Sequence, residues 1–145
     1  MHTAAAYLAL LASANLVWEV AHVRLYTLWE GASPAQIGRA VLHCTLGDVA
    51  IGGAALGLAL LLVRAAAWPF ERFGEVAFAA TLIGLLATIA IEWLSVEVWR
   101  RWAYAAAMPR VPPFGTGLTP LLQWLILPPL CLWLTRSWSA RRSTD

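Results

Sequence analysis

Lysine is absent from this chain, and charge of either sign is scarce. Ten arginines and eight acids make up 12% of 145 residues and leave a net charge of +2. A soluble domain carries about 25% charged residues, so an ordinary solvated surface is excluded. The arginines are scattered rather than gathered into a stripe, which argues against a nucleic-acid partner. Cysteine is limited to Cys44 and Cys131, far apart and each in apolar sequence. Without a C-x-x-C pair, a thiol–disulfide relay is not supported. Both thiols are expected to act as small core residues. No hydrolase, phosphate-loop or zinc-protease motif occurs.

What is abundant is apolar sequence: 61% of residues are hydrophobic. Four uncharged runs stand out, Thr3–Trp18, Val49–Val63, Val76–Ile91 and Val111–Thr135. A spanning helix needs roughly 20 mainly apolar residues. The second run reaches that length only by taking in His43 and Asp48, and the third only by taking in Glu92. Polar groups therefore belong inside the spans or at their ends. The expected fold is an all-α membrane protein, a single domain over residues 1–145. Four antiparallel transmembrane helices form a bundle, with spans at about 4–29, 34–64, 75–108 and 118–136. Ala12-Ser13-Ala14 resembles a signal-peptidase site, but no basic segment precedes the apolar run, so this stretch reads as the first membrane helix.

Local signals set the boundaries. Gly31 breaks the first helix. Ser33-Pro34 offers an N-cap followed by proline at the first helical position. Gly53-x-x-x-Gly57 fits the close-approach spacing of membrane helices. Pro109 ends the third helix, and Pro128-Pro129 inside the fourth predicts a kink. The arginines divide five against five between the two membrane faces. The Arg136, Arg141 and Arg142 tail, next to the last span, leads us to expect both termini in the cytoplasm.

Glu19, His22 and Tyr26 fall at i, i+3 and i+7, on one helical face, and Asn15 extends that face by a turn. Counted from the tight turn at Ala32, His22 and His43 lie level at about 15 Å along their helices. Glu19 comes level with Thr45, and Asn15 with Asp48. Counted back from Pro109, Glu97 lies at about 18 Å and Glu92 at about 25 Å, with Gln123 shallower. Two polar layers are predicted: an outer one of His22, His43, Glu19 and Glu97, and an inner one of Asn15, Asp48 and Glu92. An ionisable side chain deep in a span costs at least ~2.5 kcal/mol on insertion scales. These groups are therefore expected to face inward, paired or hydrated.

Two chemistries suit them. Glu19-x-x-His22 has the spacing of the Glu-x-x-His ligands in di-iron bundles. Only one copy is present, so a mononuclear site of Glu19, His22, His43 and Asp48 is the metal reading, suited to Zn, Mn or Fe. The other reading is acid–base catalysis by Glu19, His22, Asp48 and Glu92 on a small or lipophilic substrate, in a pocket walled by Trp18, Trp93 and Trp124. Asn15, Tyr26, Glu97 and Gln123 would support either site. Three alternatives stay open: proton- or ion-linked transport of a small solute, a non-catalytic accessory or assembly subunit of a membrane complex, and a haem between His22 and His43. A tight hairpin leaves the haem little room. The bilayer is the expected partner, with homo-oligomers, a larger membrane complex or a lipophilic ligand as further candidates.

Glu19-x-x-His22-x-x-x-Tyr26, His43-Cys44-x-x-Gly47-Asp48, Glu92-Trp93, Met108-Pro109 and Gly115-x-Gly117-Leu118-x-Pro120-Leu121-Leu122-Gln123 together resemble an uncharacterised group of small four-span bacterial inner-membrane proteins. The resemblance covers most of the chain. It implies a bacterial inner-membrane location and carries no activity to any residue.

Overall fold

Each long helix buries one stripe at about four-residue spacing, the spacing at which a 3.6-residue helix returns to the same face. In the computed structural model, which describes residues 2–142, helix α1 (His2–His22) buries Tyr7, Leu11, Asn15 and Glu19. A short helix α2 (Leu28–Gly31) leads into α3 (Pro34–Val63), which buries Val41, Thr45, Gly52, Leu56 and Ala59. Helix α4 (Phe73–Trp93) buries Val76, Ala80, Gly84, Thr88 and Glu92. Helix α5 (Leu118–Arg142) buries Gln123, Trp124, Leu127, Cys131, Leu132 and Thr135. Along every stripe one half is apolar and the other carries polar side chains.

Helices α1 and α4 each pack against both α3 and α5. The result is a square, up-and-down arrangement. All four long helices are long and apolar enough to cross a membrane. Their outer faces expose Val17, Leu46, Leu61, Phe78, Leu86 and Trp133. A water-soluble monomer rarely exposes so much contiguous apolar surface. The chain is a multi-pass, all-α membrane protein.

Helix α3 starts as its sequence dictates. The Ser33 side chain accepts from the Gln36 backbone, the Gln36 side chain accepts from the Ser33 backbone N–H, and Pro34 sits in the first turn. Three helix ends differ from expectation. The first helix was expected to reach residue 29, but α1 ends at His22. A 3₁₀ turn, Val23–Leu25, follows, and Tyr26 is extended. Tyr26 pairs antiparallel with Tyr104, and the Ala105 N–H donates to Leu25 O at 2.9 Å and the Thr27 N–H to Ala103 O at 3.0 Å. These long-range bonds replace those a continued helix would have made.

The third helix, expected to run to residue 108, ends at Trp93. A π-helical turn, Leu94–Val98, follows, with the Trp99 N–H on Leu94 O at 2.7 Å. Arg100 then takes a left-handed φ of 51°, and the Arg101 N–H returns to Ser95 O at 2.8 Å. Residues 99–117 fold across the end of the bundle and include a two-strand ribbon, β1 (Arg110–Val111) with β2 (Thr116–Gly117). Helix α5 runs unbroken through Pro128 and Pro129, six residues beyond its expected end.

The close approach lies one residue from where the glycine spacing put it. A Cβ on Gly52 would overlap Leu11, whereas Gly57 has open space around it. On the other side of the square, a Cβ on Gly84 would overlap the Trp124 ring. Over-packing of that kind costs about 1–3 kcal/mol. Gly84→Ala is therefore expected to lower the unfolding temperature in detergent clearly, while Gly57→Ala leaves it unchanged. Equal effects from the two substitutions would contradict this packing.

Candidate functional site

The polar halves of the four stripes meet around a cavity of about 460 Å³. That lies within the roughly 300–1,000 Å³ typical of small-molecule sites. Most of its wall is apolar, from side chains such as Val41, Ile51, Ile91 and Pro120. The polar part of the wall consists of a few groups tied together by hydrogen bonds.

Helix α1 contributes a paired acid and imidazole. His22 Nε2 lies 3.1 Å from Glu19 Oε2, the i, i+3 contact expected on one helical face. His22 Nδ1 lies 3.1 Å from Thr119 Oγ1 at the start of α5, and the ring meets Tyr26 edge-on at 5.4 Å. The Thr119 hydroxyl can also donate to Met108 Sδ, at 3.4 Å. Since a hydroxyl has one hydrogen, two proton arrangements are available. Neutral His22 donates to Glu19 and accepts from Thr119. Protonated His22 donates to both, and Thr119 then turns its hydrogen to Met108.

Helix α5 supplies the hub. Gln123 Nε2 lies 2.5 Å from Asn15 Oδ1, 2.8 Å from Asp48 Oδ2 and 3.3 Å from Glu19 Oε1. Two amide hydrogens thus serve three acceptors, and the Glu19 contact is the longest. Asn15 in turn donates to Leu11 O at 2.8 Å. The carboxyl groups of Glu19 and Asp48 are also within hydrogen-bonding reach of each other.

Helix α4 brings Glu92 to the cavity from the opposite side, where it accepts a hydrogen bond from the Tyr104 hydroxyl. The Trp102 indole N–H lies near the same carboxyl without a well-formed bond. Tyr104 also packs against Tyr26 at 5.5 Å and under the Arg110 guanidinium at 5.3 Å. Burial, and then the charge of Glu92, pushes the phenols of Tyr26 and Tyr104 above the usual tyrosine range. Both therefore stay neutral, and able to donate, at physiological pH.

The structure gathers Asn15, Glu19, His22, Asp48 and Gln123 into one network, with Tyr26 against His22 and Glu92 across the cavity. Gln123 belongs to the inner layer, deeper than the sequence placed it. The early end of α4 lets residues 99–117 fold inward, so α5 begins beside His22. His43 lines the cavity from an exposed position on α3. Glu97, expected in the outer layer, is exposed and does not line the cavity, because the π-helical turn changes the register of that face. Of the three tryptophans expected around the site, Trp124 lines it, Trp93 is 43% exposed, and Trp18 packs against the apolar core. Trp102 lines the cavity in their place.

Thr119, Tyr104 and Thr88 were not picked out as site residues. Thr88 shares the four-residue stripe with Glu92, which is a readable signal. Tyr104 and Thr119 reach the site through an irregular fold that leaves no periodic trace. Among the described residues, no group of three or more His, Cys, Asp or Glu side chains is placed to hold a metal ion. No protein-family model, curated protein or solved structure matches this chain.

Removing the hub tests the network. Gln123→Met leaves Asn15, Glu19 and Asp48 without their shared donor, and each orphaned buried acceptor costs about 1–3 kcal/mol. We expect a lower unfolding temperature in detergent. Adding Asp48→Leu should restore part of the loss, because one orphaned acceptor is then gone. If the double variant is less stable than Gln123→Met alone, the two side chains do not form a unit.

Proposed function

We propose that the cavity is a proton-transfer site acting on a lipophilic substrate within the membrane. The observation that carries this reading is the pairing of an apolar cavity with two acid groups on opposite walls, Glu19–His22 on one side and Glu92–Tyr104 on the other. A substrate double bond lying between them can gain a proton at one carbon and lose one at another. Such an isomerisation balances with no oxidant, reductant or second substrate. In this scheme protonated Glu92 gives the proton and is reprotonated from solvent. His22 takes the second proton, Glu19 stabilises the imidazolium, and His22 then releases that proton to solvent, which restores both groups. Asp48 and Gln123 hold Glu19 in place, and the low polarity of the wall strengthens each of these interactions.

Three observations favour this reading over the alternatives. Both nitrogens of His22 already have protein partners, Glu19 and Thr119, so its ring is arranged for proton exchange rather than ligation. The half of the bundle beyond the cavity is packed with Tyr7, Leu11, Val76 and Leu132, each at most 1% exposed. Such tight, mainly apolar packing disfavours an ion path across the bundle. A cluster that only held helices together would need no cavity beside it.

The test is deuterium incorporation. Purified protein is incubated in D₂O with the lipid extract of the membranes that express it, and lipids are analysed by mass spectrometry for carbon-bound deuterium. We expect incorporation into one lipid class. Losing a general acid or base lowers rates about 10²–10⁴-fold, so Glu19→Gln and His22→Asn should each remove the signal, while Glu97→Gln, off the cavity, should not. Incorporation that persists in Glu19→Gln, or is absent in every lipid class, would defeat the proposal.

We further propose that the membrane is the bacterial inner membrane and that both termini are cytoplasmic. The resemblance above and the arginines flanking the last span support this. A green fluorescent protein fused at the C-terminus should then fluoresce and an alkaline phosphatase fused there should be inactive. The opposite pair of results would invert the topology.

A further inference from the structure

We infer that the cavity takes a membrane lipid with an apolar chain and an anionic head, which enters sideways between α3 and α4 and is held by its head at Arg101. This deepens the proton-transfer reading by naming its substrate class, and it rests on that reading only for what happens to the chain after binding.

The entrance follows from where the cavity wall is exposed. On α3 the lining includes His43 and Gly47, and on α4 it includes Ile91, all at exposed positions. In a membrane, exposed positions on spanning helices face lipid. The gap between α3 and α4 at this level therefore opens to the bilayer. Gly47, with open space where a Cβ would stand, adds no side chain to block it.

The head position follows from charge. Arg101 lines the cavity, is exposed, and follows Val98, the last residue of the α4 span, by three positions. That places it at the membrane interface, where headgroups lie. Its guanidinium stacks over the Trp99 ring at 5.0 Å, which holds it in place without neutralising it. Arg24 and Arg110 at the same end likewise stack on Trp29 and Tyr104. Among the described residues none of these three arginines makes an ion pair. A guanidinium fork suits phosphate and carboxylate alike. Farther in, the Glu19 carboxylate lines the cavity, and it would repel an anion. The charge pattern thus keeps an anionic head at the mouth and admits only its apolar chain.

The test is binding, with no turnover required. Purified protein in a neutral maltoside detergent is titrated with four probes that share one 16-carbon, terminally brominated chain: an alkyl phosphate, a carboxylate, an alcohol and a trimethylammonium. Tryptophan quenching is the readout. A hydrogen bond to a charged group contributes about 1.5–3 kcal/mol, or roughly tenfold or more in affinity. We therefore expect one or both anionic probes to saturate at a concentration at least about tenfold lower than the alcohol and the ammonium. The preferred anion identifies the head. Arg101→Gln should shift the anionic curves to higher concentration by a similar factor and leave the alcohol curve in place. Arg39→Gln, an exposed arginine off the cavity, should shift neither, and Trp124→Phe should reduce the quenching amplitude. Inorganic phosphate should displace nothing. Equal binding of all four probes, preference for the cation, an unshifted curve in Arg101→Gln, or displacement by inorganic phosphate would each overturn the inference. Binding as expected alongside unchanged deuterium incorporation in Glu19→Gln would overturn the proton-transfer reading alone.

Discussion

A carboxyl group inside a bilayer has no water to turn to, and this constraint organises the molecule. Glu19, Asp48 and Glu92 sit at depths where an unpaired charge costs at least ~2.5 kcal/mol. Each has a protein partner: Glu19 has His22, Asp48 has Gln123 and Glu92 has Tyr104. The partners come from three different parts of the chain, so satisfying the acids also fixes how those parts sit together. The square of helices is closed as much by these hydrogen bonds as by apolar contact, since lipid removes most of the hydrophobic drive between helices.

The two halves of the bundle then play different roles. In one, small residues let large ones interlock, as Gly52 does with Leu11 and Gly84 with Trp124. In the other, the same stripes carry polar groups, the helices enclose a cavity, and residues 99–117 fold across the end. The backbone pairing of Tyr26 with Tyr104 joins that cover to the end of α1. It also delivers the phenol that Glu92 needs. The cover is therefore part of the site's chemistry as well as its lid.

Much of this was legible in the sequence. Uncharged runs marked four spans, Ser33-Pro34 marked the start of α3, and the 3.6-residue repeat put Asn15, Glu19 and His22 on one inward face. What was not legible shares one cause. Residues 94–108 contain no Gly and no Pro, so nothing local says that helix α4 stops at Trp93. Past the π-helical turn, the backbone of Ala103 and Ala105 pairs instead with Thr27 and Leu25 at the end of α1. Two departures around the site follow from that boundary: the outward turn of Glu97, and the arrival of Trp102 at the cavity and of Tyr104 beside Glu92. The glycine spacing misled for a different reason. Gly53-x-x-x-Gly57 has the right interval, but the face toward α1 is set by the burial of Gly52.

The hydrogen-bond partners also differ in when they become available as the chain is made. Glu19 and His22 lie three residues apart, so their pair can form within α1 as it leaves the ribosome. Asp48 has no such neighbour. Its donor, Gln123, lies 75 residues later in the chain. Glu92 waits only for Tyr104, 12 residues on. For most of its synthesis, then, the protein carries in α3 a membrane-level carboxyl without its final partner, and the last helix both completes the bundle and satisfies that group. Biogenesis is thereby tied to the C-terminal helix: a chain cut short before Gln123 would have its first three spans and lack the donor that makes them stable together.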